Sequence, residues 1–255
     1  MGFNSVAHIV VIGGIDPSGG AGLVRDALTA EALGARVTLV GSAWTLQTVG
    51  GQASLEPRSP GDFGLALRQA LAQASPPRAV KIGVIANPVL AATAADILND
   101  WPSVPVVFDP VLGASAGGSL FSGSGAPLAT DLGPLFRRTD LLTPNVAEAL
   151  ALAGPLDPMT ALLTLGPRNV LIKGGHLQGP AVDHLNGAVG CHRFESPRFH
   201  PTHPQGPRGT GCALATAISV GLAQDLPLPE AISRAKSWLS AKIRDARMVG
   251  PELRL

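Results

Sequence analysis

The chain predicts an α/β fold of three layers, α/β/α, with helices on both faces of a mostly parallel central sheet. Three observations carry this. Short apolar runs recur, six or so, each ending in glycine, proline or a polar residue, and helix-period segments separate them. No change in composition marks a linker, so residues 1–255 are expected to form a single domain. Apolar residues make up 45% of the chain, enough to fold around a large core.

The elements follow in order. "HIVVIGGI" reads as a buried strand that ends in glycine. "GLVRDALTAEALG", 22–34, sets Leu23, Ala27, Ala30 and Leu33 at helical spacing, and Gly34 stops it. "RVTLVGSAWTLQT" is strand-like and leads into loop. Residues 61–74 and 88–100 read as helices on either side of the strand "AVKIGVI". "VPVVFDPVL" is the next strand, and 126–136 a helix. "DLLTPN" is a strand stopped by proline, "VAEALALAG" a helix closed by glycine, and "NVLIKGGH" a further strand. "AVDHLNGAVGCHRFES" reads as a hairpin turned at Asn186-Gly187 that extends one sheet edge. Two helices, about 211–224 and 228–246, close the chain. Residues 196–211, rich in proline and glycine, form a long loop before the first of them, the kind of connection that often works as a lid.

Composition excludes several classes. A net charge of +1 with no basic stripe argues against a nucleic-acid partner. No apolar run reaches the ~18 residues of a membrane span. "MGFNSVAHIVVIGG" lacks the charged start of a signal peptide, so a cytoplasmic enzyme is expected. Cys191 and Cys212 make no disulfide framework, and the His and Cys spacing fits no zinc site. The dinucleotide fingerprint, the phosphate-loop motif and the nucleophile elbow are all absent.

Ligands of such sheets bind beyond the carboxyl ends of the strands. That rule gathers "GGIDPSGGAG", Gly83, Asp109, Thr143-Pro144-Asn145 and Lys173-Gly174-Gly175 on one rim, with "PRGTGCALATAI" near them. Gly209 and Gly211 let the backbone bend before a helix, whose positive end would face an anion. The same field is expected to lower the thiol pKa of Cys212. The other reading is a tight turn with a small packed cysteine. Asp16 reads as a turn residue, and Asp26 either as a site carboxylate or as a solvated helix residue. Asn145 and Glu148 suit either Mg²⁺ held through water or a capping box. Lysine is rare: of nineteen basic residues only Lys81, Lys173, Lys236 and Lys242 are not arginine. Each is expected either to be kept for its compact ammonium or to be there by chance; Lys173 is placed to reach phosphates, and for Lys236 the plain alternative is a surface residue.

The ordered set "GGIDPSGGAGLVRDALTAEALGA", "TLQTVG", "KIGVI", "VFDPVL", "LLTPNVAEA", "LIKGGH", "AVDHL", "RGTGCALATAI" and "AKSWLSAKI" resembles the hydroxymethylpyrimidine/phosphomethylpyrimidine kinases of thiamine biosynthesis. These belong to the ribokinase-like superfamily, and the resemblance runs from about residue 8 to 245. It implies ATP-dependent phosphorylation of 4-amino-5-hydroxymethyl-2-methylpyrimidine and then of its monophosphate, with Mg²⁺. It places Gly14, Asp26, Gln47, Val84 and Val111 around the pyrimidine. Asp109, Asn145, Lys173 and Thr210 would serve the nucleotide, and Glu148 with Asp109 the Mg²⁺, through water in the case of Glu148. Gly209, Thr210, Gly211 and Cys212 match the anion hole, with Cys212 as catalytic base. The resemblance also implies a homodimer. The cysteine of GTGC separates this family from sugar kinases, which carry Asp there. Arg208 departs from the family's usual His, the stretch after Gln47 is one residue short, and no aromatic stacking partner is evident. A pyridoxal kinase with the same Cys-type site, or a non-catalytic pyrimidine-binding relative, are the rival expectations.

Overall fold

In the computed structural model the described residues are 6–47, 53–113, 118–175, 180–197, 207–249 and 252–255. The chain runs β1 (His8–Ile15), α1 (Gly22–Ala32), β2 (Arg36–Gln47), β3 (Ala53–Pro57), α2 (Pro60–Leu71), β4 (Ala79–Ile82) and α3 (Pro88–Asn99). It continues through β5 (Val106–Phe108), α4 (Leu128–Asp131), α5 (Gly133–Arg138), β6 (Leu141–Leu142), α6 (Val146–Ala153), α7 (Pro158–Thr164) and β7 (Asn169–Lys173). Last come β8 (Ala181–Gly187), β9 (His192–Ser196), α8 (Thr210–Ala223), α9 (Leu228–Arg244), β10 (Arg247–Val249) and β11 (Glu252–Arg254).

One nine-stranded sheet has the order β3-β2-β1-β4-β5-β6-β7-β8-β9. The six strands from β2 to β7 in that order pair in parallel, and β3, β8 and β9 add antiparallel edges. Alternate side chains of each inner strand enter different layers. Val10 and Ile12 of β1 join the core under α2, α3 and α5 to α7, while Ile9 and Val11 face the side of α1 and α8. Val106 and Phe108 split from Val107 in the same way. Both faces are therefore apolar, as a covered parallel sheet requires.

Helix starts follow local chemistry. Ser59 accepts from Asp62 N–H, Asn87 from Leu90 N–H and Asp157 from Thr160 N–H, each with proline in the first turn. No single described helix is long and apolar enough to cross a membrane.

Five features differ from expectation. α7 is a helix where none was read, and the helix read over 126–136 is two short ones, α4 and α5. β3 pairs with β2 where the sequence reads as loop; it is a short edge strand, and its Pro57 is tolerated at an edge. Asn186-Gly187 is not the hairpin turn. It pairs with Val170 and Asn169 inside β8, and the chain reverses over residues 188–191. Gly187 is needed there because a Cβ would lie 2.3 Å from Arg168 O. The strands β10 and β11 form a small second sheet after α9, which was read as the end of the fold.

Candidate active site

β1 and β4 are neighbours whose connections leave in opposite directions, which opens a crevice above their carboxyl ends. The predicted rim assembles there. α8 begins at Thr210 behind Gly209, whose φ of +76° suits glycine. A Cβ on Gly209 would meet Gly20 O at 2.6 Å, so the turn is pressed against the loop after β1. No side chain caps α8, so its first N–H groups are directed outward. A Cβ on Gly211 would lie 3.4 Å from Lys173 Nζ and 3.6 Å from Asp109 Oδ2. Helix end, ammonium and carboxylate thus converge on one point.

Lys173 Nζ donates to Asp109 Oδ1 at 2.5 Å, and Thr143 Oγ1 donates to the same oxygen at 3.2 Å. Burial pulls the Lys173 ammonium down, but Asp109 and Glu148 outweigh it and hold its pKa above the usual lysine value. Asn145 and Glu148 form a reciprocal capping box at the start of α6: Glu148 N–H donates to Asn145 Oδ1 at 2.9 Å, and Asn145 N–H to Glu148 Oε2 at 2.7 Å. Burial pushes the Glu148 carboxyl up to about 7, with Lys173 pulling it down and Asp109 adding repulsion. Capping therefore accounts for one Glu148 oxygen and leaves a carboxylate in need of positive charge. Among the described residues no group of three or more His, Cys, Asp or Glu is arranged to hold a metal ion.

The other side of the crevice holds a buried ion pair. Lys81 Nζ donates to Asp26 Oδ2 at 2.8 Å, and Thr216 Oγ1 donates to Asp26 Oδ1 at 2.7 Å. Asp26 has no exposed surface, which overturns the solvated reading. Each of its oxygens accepts one hydrogen bond, which fixes the carboxylate beside the crevice. Burial acts on Lys81 downward, but Asp26, with Cys212 and Asp109 beyond, holds the ammonium above the ordinary lysine range. The pair is ionised: the contact is close and the hydroxyl supports the carboxylate. Burial by itself pushes Asp26 upward, and Lys81 opposes it.

Cys212 lies in the first turn of α8 and is partly exposed. Burial pushes its thiol up to about 11; the Lys81 ammonium lowers it, Asp26 and Asp109 raise it, and Gly22 N–H, hydrogen-bonded to the sulfur, lowers it. The expectation of a lowered thiol pKa is thus reversed. Desolvation and two carboxylates outweigh one ammonium and one N–H.

Gly14 and Val84 touch across the crevice, for a Cβ on Gly14 would sit 3.5 Å from Val84 Cβ. Val111 follows Asp109 on the same rim, its N–H bonded to Asp109 O at 2.8 Å. Gln47 ends β2, but its side chain lies outside the described residues, as do 198–206 of the long loop. Asp16 is a turn residue as read, accepting from Ser18 N–H at 3.0 Å and from its hydroxyl at 2.8 Å.

For Lys236 the surface alternative fails. It is 7% exposed, and its Nζ donates to Asp183 Oδ2 at 2.5 Å. Asp183 Oδ1 accepts from Gly174 N–H at 3.0 Å, next to Lys173. The signal was available: Ala231, Ile232, Ala235 and Leu239 put position 236 on the buried face of α9. Lys81, noted only for its rarity, stands in the fully buried strand Ala79–Ile82, where a lone ammonium demands a partner.

An anion-ready helix end, a lysine and two carboxylates at the switch point of an α/β/α sandwich define a phosphotransferase of the ribokinase-like class. Comparison with known proteins gives the family. Residues 16–253 match the family model described as phosphomethylpyrimidine kinase, and the chain belongs to that family. It is 33% identical over 256 residues to the hydroxymethylpyrimidine/phosphomethylpyrimidine kinase of Mycobacterium bovis, covering 95% of this chain and 90% of that one. The corresponding protein of Aquifex aeolicus is 31% identical, with 94% and 95% covered. The thiamine biosynthesis bifunctional protein of Geobacter sulfurreducens is 36% identical over 251 residues, but this chain, 95% of which is covered, spans 50% of its length. Among solved structures, phosphomethylpyrimidine kinase of Clostridium difficile superposes with a TM-score of 0.74 at 28% identity, covering 94% of this chain and all of that one. An ADP complex of Bacillus subtilis pyridoxal kinase gives 0.82 at 22% identity, with 98% and 97% covered, a likeness of fold.

Proposed function

We propose that this chain transfers the γ-phosphoryl group of ATP to the hydroxymethyl oxygen of 4-amino-5-hydroxymethyl-2-methylpyrimidine, and then a second phosphoryl group to the resulting monophosphate. The observation that carries this reading is the convergence of Lys173 and Asp109 on Gly211 at the open start of α8. Transfer through a loose transition state asks mainly for positioning and charge stabilisation. The N–H groups of residues 210–212 would face the transferring group, fixed by the sharp turn at Gly209 and needing no reorganisation. Lys173 would hold the phosphates as a point charge, Thr210 and Asn145 would line the nucleotide, and Asp109 would hold Lys173 in place.

Mg²⁺ fits the carboxylates present. One or two carboxylates with phosphate oxygens and water suffice for it, and the buried, proton-hungry Glu148 beside Asp109 is a site that a dication would relieve. When bound it supplies charge neutralisation on the phosphates.

Gly14, Val84 and Val111 would wall the pyrimidine, with Gln47 pairing to its ring edge. Cys212 would face the acceptor alcohol. Its thiol is protonated at neutral pH, so the base is the minor thiolate, strong because of its raised pKa. We also propose a single domain, and a homodimer as the working form.

The test is ATP consumption with Mg²⁺ and the hydroxymethylpyrimidine, run beside pyridoxal. Turnover of the pyrimidine at least about tenfold above pyridoxal is expected. Preference for pyridoxal would make the chain a pyridoxal kinase, and pyrimidine binding without turnover would make it a binding protein.

A further inference from the structure

Three guanidinium groups meet at the outer side of the Gly209 turn, apart from Lys173 and Asp109. Arg25 of α1 is 6% exposed. A Cβ on Gly209 would lie 3.4 Å from Arg25 Nε, so that nitrogen lies against the N-cap residue of α8. It has no hydrogen-bond partner among the described residues, although Nη1 of the same side chain donates to Leu255 O at 3.3 Å. Arg208, one residue before the turn, places Nη1 3.5 Å from Ser18 Oγ and Nη2 3.5 Å from Asp16 Oδ2. Arg254 of β11 donates from Nη2 to Ser18 O at 2.8 Å. Burial and then the neighbouring Arg254 depress the Arg25 guanidinium, while Cys212 and Asp26 favour its charge. Arg25 is the member of the cluster that couples to Cys212. Burying a guanidinium with an unpartnered N–H is costly unless an acceptor arrives.

The two proposed transfers differ in charge. The first acceptor is a neutral alcohol. The second is a phosphomonoester with a charge of about −2 that must approach the phosphates of ATP. In the kinase reading above, Lys173 serves the donor phosphates.

We propose that Arg25, with Arg208 and Arg254, seats the phosphate of an acceptor that is already a phosphomonoester, so that this cluster sets the preference for the second transfer. The inference rests on the kinase reading above. In that step a non-bridging oxygen of the bound monoester forms a bond to the γ-phosphorus of ATP. The bond from that phosphorus to the β,γ-bridging oxygen breaks, and ADP leaves with its electron pair. Near neutral pH the monoester is deprotonated, so no proton has to be removed from it. Guanidinium forks suit this oxygen geometry better than ammonium groups would.

The test compares kcat/KM for the phosphomethylpyrimidine with kcat/KM for the hydroxymethylpyrimidine. It uses the whole chain and the variants Arg208→Gln, Arg254→Gln and Arg25→Lys; the last keeps a cation at the buried position should Arg25→Gln fail to fold. The ratio of the two is expected to fall by about tenfold or more in at least Arg208→Gln and Arg25→Lys. A ratio within about twofold of the parent in all three overturns the proposal. Turnover of neither acceptor by the parent defeats the kinase reading instead. Calorimetric binding of the two pyrimidines without ATP then decides the cluster. Tighter binding of the phosphorylated form, lost in the variants, supports it, and equal binding overturns it.

Discussion

Cys212 joins a scarce reactive form to a high intrinsic basicity. With a pKa of about 11, roughly one molecule in ten thousand carries the thiolate at pH 7. A hydroxymethyl acceptor must lose a proton, so the first transfer should follow the thiolate. Its kcat/KM is expected to rise by about tenfold per pH unit between about pH 7 and 9, and to level only near the thiol pKa. The second acceptor is dianionic above its own pKa of about 6, so its transfer should be flat over the same window. Replacing Cys212 by Ala should lower the first rate by about 10²-fold or more, remove its slope and leave the second rate much less affected. Steady-state pH profiles of both steps in both proteins check this. Equal losses in the two steps would show that the sulfur orients the acceptor and does not move its proton.

At the scale of elements, the site is held by polar ties running behind the sheet's rim. Lys236 of α9 bonds Asp183 of β8, and Asp183 bonds the backbone of Gly174 immediately after Lys173. Both side chains are nearly buried, so removing one leaves the other uncompensated. Lys236→Met is expected to cost about 3–5 kcal/mol of stability in denaturant unfolding. Adding Asp183→Asn should recover part of this, since the amide oxygen still accepts from Gly174. Through the displaced Lys173, the single variant should raise KM for ATP more than it lowers kcat. A drop in kcat alone would place the tie outside the nucleotide side of the site. Sequence reading reached the elements around these ties because they rest on local chemistry: glycine and proline stops, and apolar strands. It reached the rim residues Asp109, Lys173 and Cys212 through the strand-end rule and the family motif. It missed what is decided at a distance. Nothing local tells Asn186-Gly187 to sit within a strand, because the reason is the close backbone of Arg168 on β7. The thiol pKa likewise depends on Lys81, Asp26 and Asp109, brought in from β4, α1 and the end of β5.

At the scale of the whole molecule, one outer strand face carries two exposed large apolar side chains. A register shift between Gly13 and Gly14 matches Gly41 and then Ala43 of β2, so Ser42 is the extra residue. Its hydroxyl is satisfied inside, donating to Val84 O at 2.6 Å. One inserted residue reverses the alternation beyond it. Val40, Ala43 and Thr45 therefore point into the core, whereas Leu39 and Trp44 share the opposite face and are 44% and 49% exposed. Two large apolar side chains brought to one face by a bulge would suit the contact of the proposed homodimer. Light scattering at micromolar concentration should give twice the mass of the chain. Trp44→Glu should shift it toward one chain while the unfolding midpoint of the folded unit changes little, since the side chain is outside the core. A parent that scatters as a single chain, or a Trp44→Glu protein that remains a dimer, would remove β2 as the contact.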